Sequence, residues 1–340
     1  MRGLNDKELP VRVLSGVQPS GTLHIGNYFG AIQQHIHLQD EHPGECFYFI
    51  ADYHALTSVR DGTALKQNVF DLAVAYMALG LDPEKAVLFR QSDVPEVTEL
   101  TWLLSTVTGM GLLERAHSYK DKVAQGIKPS VGLFTYPMLM ASDILIYDSS
   151  LVPVGKDQIQ HIEMAQDMAT HFNETYGRGE ALLRRPEFKL SPAPYVPGLD
   201  GRKMSKSYEN TIPMFLSQKK MRKLIGKIVT DSTPLGQPLS VEKCNVMKLI
   251  QLFADKKELK NVEEWYRTGK REGTDFGYGH AKIYLTEKIQ DHFKAARECK
   301  EALEKNPGIV EDMLKKSAEK ARSIARDTLN RCRDACGLNA

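Results

Sequence analysis

Cysteine is scarce in this chain and poorly placed for metal chemistry. Cys46, Cys244, Cys299, Cys332 and Cys336 form an odd, scattered set without the C-x2-C pairs that zinc and iron–sulfur sites use. They are expected to be reduced thiols. Cys332 and Cys336 would share a helix face, but two thiols do not complete a metal site. There is no run of about 18 apolar residues, so no membrane-spanning helix is expected. The opening residues MRGLNDKELP carry charge of both signs and lack the apolar core of a signal peptide, so a cytoplasmic location with no membrane partner is expected. Neither a GxGxxG fingerprint nor a GxxxxGK[ST] loop occurs, which removes the usual dinucleotide and phosphate-loop readings. Internal repeats and low-complexity tracts are absent as well.

What is present is an ordinary composition with an uneven distribution of charge. The 340 residues are 42% hydrophobic and 26% charged, enough for a catalytic domain and a smaller partner domain. The net charge is +2, but residues 1–216 hold 19 Lys+Arg against 25 Asp+Glu, a net −6, while residues 217–340 hold 26 against 18, a net +8. A basic C-terminal third on an acidic body suggests contact with a polyanion; a solvated, Lys-rich helical surface is the alternative.

Hydrophobic patterning predicts alternating strands and helices in the first part of the chain. The apolar run Val11–Leu14 leads into a Gly/Ser/Pro-rich loop and then a helix over 28–40. Strands are predicted at 47–51, 86–89 and 152–154, with helices over 65–79 and 157–172. This alternation predicts a parallel α/β sheet. The proline-rich stretch from Arg184 to Gly201 reads as an irregular connection. Beyond Pro213 strand signals nearly vanish, and helices are predicted near 217–230, 241–254, 280–298 and 308–335. The expected organisation is a Rossmann-type catalytic domain over residues 1–212 and an all-helical domain over 213–340.

Two segments carry the chemistry. The first, Gln18-Pro-Ser-Gly-Thr-Leu-His-Ile-Gly-Asn27, lies between the first strand and its helix, where open α/β sheets bind ligands and a helix N-terminus favours negative charge. Gly26 would permit close backbone approach, and His24 and Asn27 can donate hydrogen bonds. The second is the Gly-led loop Lys203-Met-Ser-Lys-Ser207, whose two lysines form a pair of point charges suited to a leaving polyphosphate.

An HIGN loop after the first strand and a KMSKS loop after the last together resemble the class I aminoacyl-tRNA synthetases. The segments LSGVQPSGTLHIGNYFGA, IADYHALT, LFTYPMLMASDILIYDSSLVPVGKDQIQHIE and GRKMSKSYENTI resemble, in order, the bacterial-type tryptophanyl enzymes of that family. The resemblance implies activation of tryptophan with ATP and its transfer to tRNA(Trp), with Mg2+ accompanying the polyphosphate, no protein-ligated metal or iron–sulfur cluster, and a homodimer. It implies that Asp143 accepts the indole N–H, a donor that would cost about 1–3 kcal/mol if buried unpaired. Met140, Val152 and Val154 would wall the pocket. Tyr136, Gln158 and Gln18 would meet the α-amino and carboxylate groups, with Tyr53 and His54 on the indole side. Gln18, Pro19, Ser20, His24, Gly26 and Asn27 are implied for the α-phosphate and ribose of ATP, Gly155, Lys156 and Asp157 for the ribose, and the Val196 backbone for adenine. Lys122, Lys203 and Lys206 are the implied catalytic cations for pyrophosphate, within the ATP-binding run Lys203, Met204, Ser205, Lys206 and Ser207.

Some positions depart from the family pattern. Asn27 stands where the HIGH motif has its second His, and Lys156 stands where many relatives carry Glu. A tyrosyl enzyme would instead need to bond a phenol hydroxyl as donor and acceptor. A non-catalytic tryptophan sensor would be free to lose lysines that this chain retains, and a small-molecule nucleotidylyltransferase would leave the basic helical segment unexplained.

Overall fold

The computed structural model describes residues 9–116, 126, 128–155, 158–190 and 194–339. Five parallel strands form its main sheet: β1 (Val13–Val17), β2 (Cys46–Ile50), β3 (Ala86–Arg90), β4 (Leu151–Val154) and β5 (Glu187–Leu190). Their spatial order is β3-β2-β1-β4-β5, with Val13 beside Cys46 and Cys46 beside Ala86 at the start of the two registers that join β1, β2 and β3. Every residue of β2, CFYFI, is buried, as a strand covered on both faces requires. Three of the predicted strands fall within a residue of expectation, while β1 starts two residues later than the run Val11–Leu14 and ends three later. β5 is an addition to them: it lies inside the proline-rich stretch that reads as irregular, all four of its residues are exposed, and its EFKL alternation is only four residues long.

The helices begin where short polar side chains can hold the free backbone N–H groups. Asp61 accepts from the amides of Thr63 and Ala64 at 2.9 and 3.1 Å ahead of Gly62–Ala78, and Ser130 accepts from Leu133 at 3.1 Å ahead of Val131–Leu145. The first helical region runs through Ile25–Asn27, a π-type turn at Tyr28–Ile32 and Gln33–Glu41.

The chain divides into two compact units: residues 1–21, 35–192 and 303–340, and residues 22–34 and 193–302. This division differs from a cut after residue 212. The long helix Pro307–Cys336 belongs to the sheet-bearing unit, where it packs on β3 and on the helix Glu96–Ser105. Its Ala318, Ala321, Ala325, Leu329, Cys332 and Ala335 enter that unit's core. The small side chains allow close approach, and arginines on the same helix hold carboxylates of the sheet-bearing unit. Glu96 receives Arg322 and Arg326, Glu99 receives Arg333, and the buried Asp148 receives Arg331 at 2.7 Å.

The second unit contains Gln218–Ile225, Asn245–Ile250, Lys256–Thr268 and Tyr278–His292, and an aromatic cluster of Tyr28, Phe29, Phe253 and Phe293. Its helix Lys256–Thr268, capped by Asp255, and a short antiparallel pair, Lys270–Arg271 with Thr274–Asp275, have no counterpart among the predicted elements.

Candidate active site

The strand order turns in opposite directions on either side of β1 and β4, which makes their carboxyl ends the ligand-binding crevice of such a sheet. Gln18 and Ser20 follow β1 and are exposed, Pro19 between them is buried, and Gly155 follows β4 exposed. Lys122, Lys156 and Asp157 lie outside the described residues.

In the sheet-bearing unit a buried polar cluster assembles around Asp143. Tyr136, Met140 and Asp143 lie at i, i+4 and i+7 of the Val131–Leu145 helix, hence on one face. Asp143 is 1% exposed. The turn after β2 presents His54, whose Nε2 lies 3.0 Å from Asp143 Oδ2, and the turn after β3 presents Gln91, whose Nε2 donates to the same oxygen at 2.7 Å. Gln91 Oε1 in turn accepts from the Tyr53 amide at 3.1 Å. Both side-chain contacts fall on Oδ2, so among the described residues Oδ1 is left as an acceptor. Burial pushes the Asp143 carboxyl above the usual range, and the hydrogen bond from His54 works against that.

The apolar surroundings come from neighbouring elements. Val152 and Val154 point to one face of β4 and are buried in the unit's core, with Tyr53 and Met140 half-buried against it. Tyr136 Oη lies 3.1 Å from His161 Nε2, and Gln158 is half-buried one residue before the Ile159–Tyr176 helix. A cavity of about 450 Å³ opens beside Tyr53, His54 and Tyr136 and continues to Thr98, Thr101 and Ser130.

In the second unit the two signature loops are braced against each other. Ile25 N donates to Ile212 O at 3.0 Å, and His24 forms an antiparallel bridge with Pro213. A Cβ on Gly26 would sit 3.0 Å from His24 Nδ1 and 3.3 Å from Met204 Cβ, so glycine lets the loops touch. Asn27 Oδ1 accepts from the His24 amide at 3.1 Å. His24 is 5% exposed; burial, helped by the charge of Lys206, lowers its pKa to about 4, so the ring is neutral at pH 7. Lys206 is half-buried and its own pKa is lowered by burial, while Lys203 is exposed.

The KMSKS segment is held from beneath by Asn210, a residue that motif reading passes over. Asn210 Oδ1 accepts from the Ser205 amide at 2.8 Å, and its Nδ2 donates to Asp200 Oδ1 at 2.7 Å and to the Lys203 carbonyl at 3.3 Å. Ser205 and Ser207 hydroxyls lie 2.9 Å apart. The buried Met204 donates its amide to Val196 O at 2.9 Å, which occupies that carbonyl, although the Val196 backbone is the part expected to meet adenine. Motif reading passes over Gln91 and His161 too; each is distant in sequence from the side chain it supports.

An open parallel sheet with an HIGN loop braced on a KMSKS loop defines the class: the Rossmann-type, ATP-using aminoacyl-tRNA synthetases. The family described as tRNA synthetases class I (W and Y) matches residues 6–294. The tryptophan–tRNA ligase of Fusobacterium nucleatum is 51% identical over 96% of this chain and 98% of that protein. The crystal structure of the Campylobacter jejuni tryptophanyl-tRNA synthetase, complexed with ADP and tryptophan, is 50% identical and superposes with a TM-score of 0.90 over 96% of this chain and all of that one. The enzyme of Mycoplasma pneumoniae, at 30% identity, superposes with a TM-score of 0.77 over 97% and 99% of the two chains. The chain therefore belongs to the class I tRNA synthetases of the tryptophan and tyrosine group, and within it to the tryptophan–tRNA ligases.

Proposed function

We propose that this ligase condenses L-tryptophan with ATP to tryptophanyl-adenylate, releasing pyrophosphate, and then passes the tryptophanyl group to tRNA(Trp). The observation that carries the amino-acid assignment is the Asp143 cluster: a buried carboxylate oriented by His54 and Gln91 through Oδ2, with Oδ1 left to accept one donor. Indole N–H is a donor only, whereas a phenol hydroxyl also presents an acceptor. Met140, Val152 and Val154 supply the apolar walls. Tyr136, Gln158 and Gln18 serve the α-amino and carboxylate groups, and Tyr53 lies on the indole side.

Activation needs no general base, because the tryptophan carboxylate is already a nucleophile at pH 7. Its oxygen attacks the α-phosphorus of ATP while the bond to the bridging oxygen of pyrophosphate breaks. The neutral His24 and Asn27 donate to the α-phosphate region, with Gly26 permitting close approach. Gln18, Pro19, Ser20, Gly155, Lys156 and Asp157 complete the contacts to the nucleotide, Val196 flanks adenine, and Met204, Ser205 and Ser207 carry the loop. Lys122, Lys203 and Lys206 stabilise the departing pyrophosphate, whose charge Mg2+ shares. In the second step a ribose hydroxyl at the tRNA 3′ end attacks the mixed anhydride and AMP leaves.

The helical unit is the tRNA-binding part in this reading, and the location is cytoplasmic; no helix among the described residues is long and apolar enough to cross a membrane. Homodimerisation follows from the resemblance and is supported by Trp102 and Val131, large apolar side chains 70% and 79% exposed on two helices packed together. Sedimentation of the purified chain reads it directly.

The test is ATP–pyrophosphate exchange driven by tryptophan, tyrosine or phenylalanine, in the wild type and in Asp143→Ala. Exchange with tryptophan alone, lost or made indiscriminate in the variant, is expected; a site built around one hydrogen bond rejects analogues by about 10⁴–10⁵. No exchange with any of the three amino acids would overturn the reading.

A further inference from the structure

The charge asymmetry along the chain resolves into two different things once the helices are placed. On Pro307–Cys336 most of the cations are consumed inside the sheet-bearing unit: Arg322, Arg326, Arg331 and Arg333 all end on carboxylates. The helix Gln218–Ile225 of the second unit is different. Between Glu209 and Asp231 the sequence contains no acidic residue and five cations, Lys219, Lys220, Arg222, Lys223 and Lys227. All five are exposed, and none of them forms an ion pair among the described residues.

The helix geometry gathers these charges. Met221 and Ile225 are fully buried, and the helix that carries them packs against Tyr278–His292. At 100° per residue, Arg222, Lys219, Lys223 and Lys220 sweep the opposite arc. Arg222 and Lys223 suit the last turn of the helix, but the rest of the arrangement works against it. Lys219 and Lys220 occupy its first turn, where the backbone dipole disfavours positive charge, and Lys219–Lys223 is a like-charge pair at i, i+4. A helix selected only for its packing would intersperse carboxylates, as Lys256–Thr268 does with Glu258, Glu263 and Glu264.

We infer that this face is a binding surface for the phosphodiester backbone of the tRNA, an inference that rests on the ligase reading and adds to it a particular surface. Lysine ammonium groups act as strongly hydrated point charges and suit sequence-independent attachment to phosphates, with release of counterions. The helix is the next α-helix after the KMSKS loop, ten residues further along the chain, and lies in the same compact unit. Attachment here would therefore restrain the segment that bears Lys203 and Lys206.

The experiment uses the full-length chain with Lys219→Ala, Lys220→Ala, Arg222→Ala and Lys223→Ala combined; these exposed changes keep helix propensity. Direct binding of a tRNA(Trp) transcript is measured from low salt to about 0.2 M, beside charging and pyrophosphate exchange. The expected result is a tRNA KM raised about tenfold or more and a log–log salt slope shallower by roughly 3, at about 0.7–0.9 for each phosphate no longer neutralised. Tryptophan and ATP constants in the exchange reaction should stay within about twofold. A second variant, with Lys219, Lys220 and Lys223 all changed to Arg, keeps the charge and should bind like the wild type. Unchanged tRNA binding and slope in the alanine variant would overturn the inference. So would a rise in the ATP KM with tRNA binding intact, which would assign the face to polyphosphate. Failure of the wild type to exchange would count against the ligase reading alone, since the binding series still decides the surface.

Discussion

At the level of single residues, the pocket depends on a side chain that no motif announces. Gln91 spans two tasks: its amide nitrogen donates to Asp143 Oδ2 and its amide oxygen receives the Tyr53 N–H. Gln91→Ala removes a donor from a carboxylate that is 1% exposed and takes one of two acceptors from the Tyr53 amide, which also donates to Asp52 Oδ1 at 3.0 Å. A loss of about 1–3 kcal/mol in tryptophan binding is expected, roughly a 5-fold to 150-fold rise in KM for tryptophan. The ATP KM should change little, and equal losses for both substrates in exchange assays would show that Gln91 acts through general destabilisation instead. His24, Lys203 and Lys206 are marked by the two signature loops, and His54 and Asp143 by the family resemblance. Gln91 is not, because it meets Asp143 only when β3 and the Val131–Leu145 helix are packed in one unit, and Asn210 hides as an ordinary polar residue after the KMSKS run.

Among the elements, the helix Pro307–Cys336 shows how a basic sequence can serve packing. Arg331 Nη2 bonds Asp148 Oδ1 at 2.7 Å and its Nε donates to the Leu182 carbonyl at 2.8 Å. Asp148 is 6% exposed and sits at a positive φ of 50°, a backbone conformation that needs support when the residue is not glycine. Arg331→Ala leaves the buried carboxylate with Thr328 Oγ1 at 3.3 Å and the charge of Arg12, and should cost about 3 kcal/mol of stability. Lys316→Ala breaks a pair with Glu84 in which both side chains are 76% exposed, and should cost under about 1 kcal/mol. Urea denaturation of the two variants side by side checks the contrast. Similar midpoints would mean that the Asp148 contact contributes no more than a surface pair.

For the chain in its entirety, the pH dependence of stability follows from histidines folded in their neutral form. His35 is 2% exposed, with Nδ1 2.9 Å from Tyr76 Oη, and burial lowers its pKa to about 4 from the ordinary 6.5; His24 behaves alike. Between those values the unfolded chain takes up a proton that the folded chain refuses. Stability is therefore complete above about pH 6.5 and falls as the pH drops toward 4, by up to roughly 3 kcal/mol for His35. Urea midpoints measured from about pH 7.5 to 4.5 should decline through this window, and His35→Gln should flatten the decline. An unchanged slope in that variant would remove His35 from the account.

Local strings and periodicity are enough to set the class of fold, and the family resemblance those strings carry implies the reaction. Apolar runs separated by helical periodicity require a parallel sheet, and HIGN and KMSKS are short segments whose spacing survives any packing. Which charges face solvent is a matter of packing alone. Residues 303–340 and 217–302 look equally helical and basic along the chain, yet arginines of the first group end on Glu96, Glu99 and Asp148, while Lys219, Lys220, Arg222 and Lys223 remain exposed. An ion pair is set by distance in space between residues far apart in sequence, and composition holds no record of that distance.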